Sequence, residues 1–306
     1  MHKRILITGS QGFVGRYLTS FLLRDKNYKI YGIDKNKSNE KSYHHQSCDI
    51  TNSIKLAELI KEIEPDLVIH LVAVANPQIE NKKLVYDVNV GGTKNLLQAL
   101  SQSEKKTDVL LVSSAYVYGS SEVILTEKSP TKAMGIYAES KLAMENLANE
   151  YLKSNLKIKI ARPFNHTGPG QTTEFVVPSF SNQIAQIEAG ILKPVIKVGN
   201  LEPKKEMLDV RDVVRAYRDI LLNGKAGEVY NIARGEGYTI KDLLNRLLSL
   251  SKVKISIEND PAMMRTSDIM CLVGSPKKIY KETSWQAQID IMETLKETLQ
   301  YFRRKI

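Results

Sequence analysis

Tyr137 and Lys141 stand four residues apart in GIYAESKLAMENLANEYL, a segment whose apolar residues recur at helical spacing. That separation is about one helical turn, so the phenol and the ammonium project from one face. A phenol with an ordinary pKa of about 10 keeps its proton at neutral pH, and a nearby cation favours the ionised form and lowers that value. The pair is therefore suited to general acid and base work at an oxygen. Ser114, at the end of the apolar run DVLLVSS, supplies a third hydroxyl able to hydrogen-bond the reacting oxygen.

A second constellation lies near the start of the chain. After the apolar run KRILIT comes TGSQGFVG, in which Gly9, Gly12 and Gly15 are spaced by three where a strand must turn into a helix. Gly9 permits the tight turn, Gly12 lets the backbone approach a pyrophosphate, and Gly15 lets helix and strand pack closely. The helix beginning there offers free N–H groups and a partial positive charge to phosphates. Asp34 ends the next apolar run, KIYGID, about 20 residues beyond the glycines, where a carboxylate accepts from the ribose hydroxyls of a bound dinucleotide. This favours NAD. The adjacent Lys35 and Lys37 pull the other way, because a cation there can pair with the 2′-phosphate of NADP.

These residues need elements to hold them. The first half alternates β-rich runs (KRILIT, KIYGID, SYHHQSCD, DLVIHLVA, DVLLVSS) with helical patterns such as GFVGRYLTSFLLRD, SIKLAELIKEI and TKNLLQALSQS. Strands alternating with amphipathic helices predict a doubly wound α/β fold, and runs apolar on both faces fit strands of a covered parallel sheet. Beyond LKIKIARP, glycine and proline clusters break the rhythm at residues 166–170, 199–203 and 224–227, which predicts a smaller, mostly helical second lobe. The expected division is a dinucleotide-binding domain over 1–163, joined again by about 206–233, and a second lobe over 164–306. Neither repeats nor low-complexity segments interrupt this plan.

With 306 residues, 42% hydrophobic and 25% charged, the chain has an ordinary globular composition rather than a disordered one. No apolar run approaches the roughly 20 residues that span a bilayer, and MHKRILITGS runs straight into a strand pattern, so a cytoplasmic protein is expected. Cys48 and Cys271 exclude a disulfide framework and leave too few thiols for a cysteine-based metal site. The net charge of +10 is spread along the chain without basic blocks interleaved with aromatics, which argues against a nucleic-acid partner and for a solvated basic surface. Such a surface also suits anionic small molecules. His44 and His45 are neighbours that a strand points to opposite sides, and no third ligand stands at metal spacing. His70, in an apolar strand, is expected to be a satisfied core residue, and His166 to hold its loop by hydrogen bonding.

The segments TGSQGFVG, SSAYVYG and YAESK resemble the motifs of the extended short-chain dehydrogenase/reductase family, and the likeness covers nearly the whole chain. The resemblance implies a Rossmann fold, NAD or NADP as cofactor, and Ser114, Tyr137 and Lys141 as a catalytic triad. It further implies that Gln11, Phe13 and Val14 of the glycine loop, Asp49 and Ile50 beside the adenine, and Leu71, Ala73 and Pro163 along the groove contact the cofactor, with Asn89 on a supporting helix. Helices around VNVGGTKNLLQAL and YAESKLAMENLANEYL form a four-helix dimer interface in that family, which implies a homodimer.

Within the family, ARPFNHTGPGQ, FVVPSF, VGNLEPKKEMLDVRDVVRAY, GEVYNIARGEGYTI and DPAMMRTSD resemble the GDP-4-keto-6-deoxy-mannose reductases. That likeness implies a GDP-linked nucleotide-sugar substrate whose C4 keto group is reduced. Asn165 and Val177 would meet its phosphates, Lys205 and Arg265 its pyrophosphate, and Asp268 its ribose, with Ala115 and Tyr116 near the sugar. Related dehydratases carry a carboxylate just after the catalytic hydroxyl to remove the C5 proton; Ala115 and Tyr116 lack one. A nucleotide-sugar 4-epimerase uses the same triad, and a reductase of a dTDP-linked or heptose 4-keto-6-deoxy sugar shares the same motifs; both remain alternatives.

Overall fold

The computed structural model describes residues 2–76, 80–263 and 269–306. Its strands are β1 (Lys3–Thr8), β2 (Tyr28–Asp34), β3 (His44–Ser47), β4 (Leu67–His70), β5 (Thr107–Val112), β6 (Leu156–Pro163), β7 (His166–Thr167), β8 (Val195–Val198), β9 (Lys204–Glu206), β10 (Leu208–Asp209), β11 (Val229–Ile232), β12 (Gly237–Thr239), β13 (Ser256–Asn259) and β14 (Cys271–Leu272). The α-helices are α1 (Phe13–Leu22), α2 (Ser53–Ile63), α3 (Lys82–Tyr86), α4 (Gly92–Ser101), α5 (Ile136–Asn149), α6 (Val176–Glu188), α7 (Val210–Asn223), α8 (Ile240–Ser249), α9 (Lys277–Thr283) and α10 (Ile291–Arg303).

Seven strands form one parallel sheet in the order β11-β6-β5-β4-β1-β2-β3. The chain winds outward in one direction from β1 to β3 and in the other from β4, so the order reverses between β1 and β4. Ligand crevices open at that reversal, beyond the carboxyl ends of the strands. One face of the sheet is sealed by a cluster including Leu18 and Leu22 of α1, Val213 and Tyr217 of α7, and Trp285. The other is sealed by Leu56 and Ile60 of α2, Leu96 and Leu100 of α4, and Met144 and Ala148 of α5. Every residue of β4 is buried, as expected of a strand covered on both faces.

A third apolar cluster joins α6, α8 and α10 with β8, through Val177, Ile184, Ile196, Leu244 and Leu295 among others. The second half is more strand-rich than the irregular sequence pattern suggests. It holds a three-stranded sheet, β12-β9-β14, and the pairs β10-β7 and β13-β8. Strands of two to four residues carry too few side chains to display alternation, which is why the sequence reads as helices and loops there. Among the described residues, no helix is long and apolar enough to cross a membrane, and no cluster of His, Cys, Asp or Glu is arranged to hold a metal.

Candidate functional site

Three glycines shape the crossing from β1 to α1. Gly9 adopts φ +74°, and a Cβ there would come within 3.1 Å of the Val72 backbone nitrogen. A Cβ on Gly15 would collide with the Gly9 carbonyl and the Ser10 backbone, so the helix rests directly against the loop. At Gly12 the Cβ would meet only the Gly9 oxygen at 3.2 Å and would otherwise fill open space. Gly12 caps α1 without any side-chain hydrogen bond, and no acidic residue sits in the first turn. The first N–H groups of α1 are thus left to an anion. A dinucleotide pyrophosphate fits this cradle.

The glycine loop opens on a cleft of about 700 Å³, within the range of small-molecule sites. Its wall brings together Gly9, Gly12, Phe13, Val14, Gly15, Leu71, Ala73, Ser114, Tyr116, Tyr137, Lys141, Pro163, Asn165, Val177 and Lys205. Other residues singled out in the sequence stand behind or beside the wall. Asp34, at the end of β2, accepts from the Gln11 backbone N–H at 3.3 Å and the Asn36 backbone N–H at 3.0 Å. Gln11 donates through its side chain to the Tyr43 hydroxyl. Lys35 is exposed, its carbonyl accepting from Ser47. Asp49 accepts from the backbone and hydroxyl of Thr51, while Ile50 is buried against Gly92. Ala115 is fully buried in the sheet core rather than on the cleft wall. Arg265 and Asp268 lie outside the described residues.

Asn89 occupies a π turn, Asp87–Gly91, between α3 and α4. Its Oδ1 accepts from the Val74 N–H at 2.8 Å and its Nδ2 donates to the Ser140 hydroxyl at 2.9 Å. The irregular turn thereby ties the loop after β4 to the helix carrying Tyr137 and Lys141.

At the centre of the cleft, Ser114 closes β5 and Tyr137 and Lys141 rise from α5. The Lys141 ammonium donates to the Val112 carbonyl at 2.7 Å. Burial holds its pKa down at about 8, offset in part by Glu145 one turn further along α5. Glu145 is itself held by Arg162 through two bonds of 2.9 and 2.5 Å. Burial also pushes Tyr137 up to about 12, opposed by a hydrogen bond with the Ser114 hydroxyl. The sequence suggested that the ammonium would lower the phenol. In the structure burial raises it instead, and the lysine's hydrogen bond goes to a backbone carbonyl. Burial thus favours the protonated phenol.

Tyr116 packs edge-on against Tyr137 with ring centroids 6.1 Å apart, and Lys205 Nζ lies 5.7 Å from the Tyr116 centroid and 3.5 Å from its hydroxyl. Lys205 is 7% exposed and has no carboxylate partner among the described residues, which leaves its charge to an anion in the cleft. Asn165 Oδ1, also on the wall, is buried without a partner. His70 bonds Thr8 and Thr93 through both ring nitrogens and is held at a pKa of about 3 by burial, a neutral core residue. His166 bonds the Phe164 carbonyl through Nδ1, bracing its loop. Ser113, Thr167, Gln171, Phe175 and Tyr217 also line the cleft and were not anticipated, because no motif or spacing marks them.

The family model described as GDP-mannose 4,6 dehydratase matches residues 6–298. The chain belongs to this family. It is 31% identical to the GDP-6-deoxy-D-mannose reductase of Pseudomonas aeruginosa, covering 100% of this chain and 99% of that one. It is 28% identical to the GDP-6-deoxy-D-talose 4-dehydrogenase of Aggregatibacter actinomycetemcomitans, over 94% and 96% of the two chains. Among solved structures, RMD from Pseudomonas aeruginosa complexed with NADPH superposes with a TM-score of 0.88 at 30% identity, covering 99% of this chain and 100% of that one. The protein is accordingly an oxidoreductase-type enzyme that works with NAD or NADP.

Proposed function

We propose that the protein reduces the C4 keto group of a GDP-4-keto-6-deoxy sugar, GDP-4-keto-6-deoxy-mannose or a close relative, to a GDP-6-deoxyhexose such as GDP-rhamnose. The observation that carries this reading is the convergence of Ser114, Tyr137 and Lys141 on one cleft with Tyr116, an aromatic and not a carboxylate, beside the phenol. That arrangement provides an acid for a keto oxygen and no base at the position dehydratases use. The names of the two similar relatives, both GDP-sugar enzymes acting on a 6-deoxy sugar, support it.

A nicotinamide dinucleotide supplies the hydride when bound. Gly9, Gly12 and the N-terminus of α1 hold its pyrophosphate, Asp34 takes the adenosine ribose, and Leu71, Ala73 and Pro163 line its path. As negative charge develops on the sugar's C4 oxygen, the Tyr137 hydroxyl donates its proton there, and Ser114 hydrogen-bonds the same oxygen. The Lys141 ammonium stabilises the phenolate so formed until solvent restores the proton. Lys205 and Asn165 face the substrate's phosphates. In this reading residues 1–163 with about 206–233 carry the cofactor, residues 164–306 carry the nucleotide sugar, and two chains associate as a homodimer.

The test is to offer GDP- and dTDP-linked 4-keto-6-deoxy sugars with NADH and with NADPH and to identify the products. One nicotinamide oxidised per GDP-sugar is expected. Tightly copurifying dinucleotide that is never consumed, with interconversion of C4 epimers, would replace the reductase by an epimerase.

A further inference from the structure

Three charged side chains, Lys141, Glu145 and Arg162, are buried together beside the carboxyl ends of β5 and β6. Lys141 and Glu145 stand four residues apart on α5, so both leave the same face of the helix. Arg162 reaches Glu145 from β6 and grips it with two bonds, Nε to Oε1 at 2.9 Å and Nη2 to Oε2 at 2.5 Å. The guanidinium also lies over the Tyr118 ring, 4.7 Å from its centroid, and the Tyr118 hydroxyl donates to Asn231 Oδ1 at 2.8 Å. Tyr118 ends the turn that Ser114 caps. One guanidinium therefore ties the helix bearing Tyr137 and Lys141 to the turn that starts at Ser114.

An ion pair this deep is a weak source of stability, because desolvation offsets the attraction and apolar residues of similar size often serve as well. Its place one turn from Lys141 gives it another use. The ammonium donates to a neutral group, the Val112 carbonyl, and has no carboxylate at ion-pair distance among the described residues. Around it stand Tyr137 on α5, His70 on β4, Tyr116 and Tyr118 on the turn after Ser114, and Tyr217 on α7, with Lys205 facing Tyr116 from β9. His70 is neutral, and burial favours the protonated form of Tyr137, Tyr118 and Tyr217. The π turn packed on α5 offers it Asn89, which carries no charge, while Asp87 pairs with Lys83 in solvent. The lysines of α3 and α4 are exposed. That leaves Glu145 as the anion acting on Lys141, where it partly offsets the burial that lowers the lysine.

We propose that Glu145, aimed by Arg162, is a positioning residue whose carboxylate keeps the Lys141 ammonium charged when it must stabilise the phenolate formed at Tyr137. This rests on the reductase reading given above and extends it to two residues that lie off the cleft wall. Both act through Lys141 and neither meets the sugar.

Glu145→Gln keeps the shape and an acceptor for Arg162 but removes the charge, whereas Glu145→Asp keeps the charge and shortens the arm. In the full chain with isotope-labelled lysine, the ε-carbon signal of Lys141, assigned by its loss in Lys141→Met, gives a titration midpoint without any substrate. That midpoint is expected to fall by about one pH unit in Glu145→Gln and to stay close to the wild-type value in Glu145→Asp. The alkaline limb of kcat for keto-sugar reduction should move with it. Glu145→Gln combined with Arg162→Met leaves no unpaired charge in the core, so it reports even where Glu145→Gln alone does not fold, and its midpoint should also lie below that of wild type. An unmoved midpoint in the variant that folds overturns the proposal, and so does an equal fall in Glu145→Asp, which would mark a packing effect. A limb that stays in place while the midpoint moves would remove Glu145 from the reaction. Absence of keto-sugar reduction by the wild type, with the midpoint shifted as expected, would instead strike the reductase reading.

Discussion

Tyr137 and Lys141 pull against the fold that holds them. Burial favours the neutral lysine, lowering its pKa from an ordinary 10.5 to about 8, so near neutrality its charge is carried at a cost. Between about 8 and 10.5 the unfolded chain binds more protons at this site than the folded one, and stability therefore rises with pH across that window. Lys141→Met should consequently leave the melting temperature unchanged or higher while abolishing turnover, a trade typical of functional sites; a melting temperature lowered by several degrees would contradict it. Activity should move the other way from stability: keto-sugar reduction should fall as pH rises through about 8, where Lys141 loses its charge, while Tyr137, at about 12, still holds its proton. Tyr137→Phe should lower kcat by about 10²-fold or more, with NADPH affinity unaltered in direct binding. Spacing put Tyr137 and Lys141 on one helix face and Ser114 at a strand end, which are short-range properties, and the three meet on one cleft wall, while their grouping as a triad came from the family resemblance. The direction of the phenol's shift was not legible, because it depends on enclosure by segments far away in the chain.

At the scale of elements, the glycine loop could be read because its constraints are local: a left-handed turn at Gly9 and a helix pressed on the loop at Gly15 demand the same residue type in any sequence. Gly15→Ala should therefore disable the cofactor site, since the added carbon meets backbone on the Gly9 and Ser10 side that no rotamer change relieves. Dinucleotide binding should drop at least tenfold by direct titration, with a lower melting temperature, and wild-type affinity would refute the reading. The π turn at Asn89 was not legible, for nothing in VYDVNVGGTK signals a widened turn. Asn89→Ala would leave the Val74 N–H and Ser140 hydroxyl short of a partner, costing about 1–3 kcal/mol and loosening α5 against the loop after β4. A fall in kcat larger than any rise in KM for the sugar is expected, because the residues proposed to face the substrate's phosphates are untouched. The short strands β7, β9 and β14 that position Lys205 and the Asn165 loop escaped sequence reading for the same reason: their pairing is set by tertiary neighbours.

On the scale of the whole molecule, the cleft lies between the large sheet with its two flanking clusters and the third apolar cluster. Residues of the large sheet form one wall, and Val177 and Phe180 of α6, which belong to the third apolar cluster, form another. What joins the cores is specific and polar. Asp212 of α7 is 1% exposed, and its Oδ2 accepts from the backbone N–H groups of Gln288 and Ile289, just ahead of α10. Asp209 caps α7 and accepts from Thr294 within α10. Trp285, the sole tryptophan, donates to the Asp212 carbonyl at 3.0 Å and is 1% exposed. Its emission thus reports the contact between α7 and the segment ahead of α10. A ligand that spans the cleft and binds the folded chain but not the unfolded one stabilises it by mass action, by about 2.7 kcal/mol at a hundredfold excess over Kd. Thermal unfolding should therefore show Trp285 emission and far-UV dichroism converging on one raised midpoint when NADPH and a GDP-sugar are both present. Asp212→Asn keeps the shape but weakens the acceptor for three partners, Gln288, Ile289 and Arg215. In that variant the Trp285 transition should precede the loss of helical signal, and the added ligands should draw the two back together; coincident transitions without ligand would show that the joint does not couple the cores.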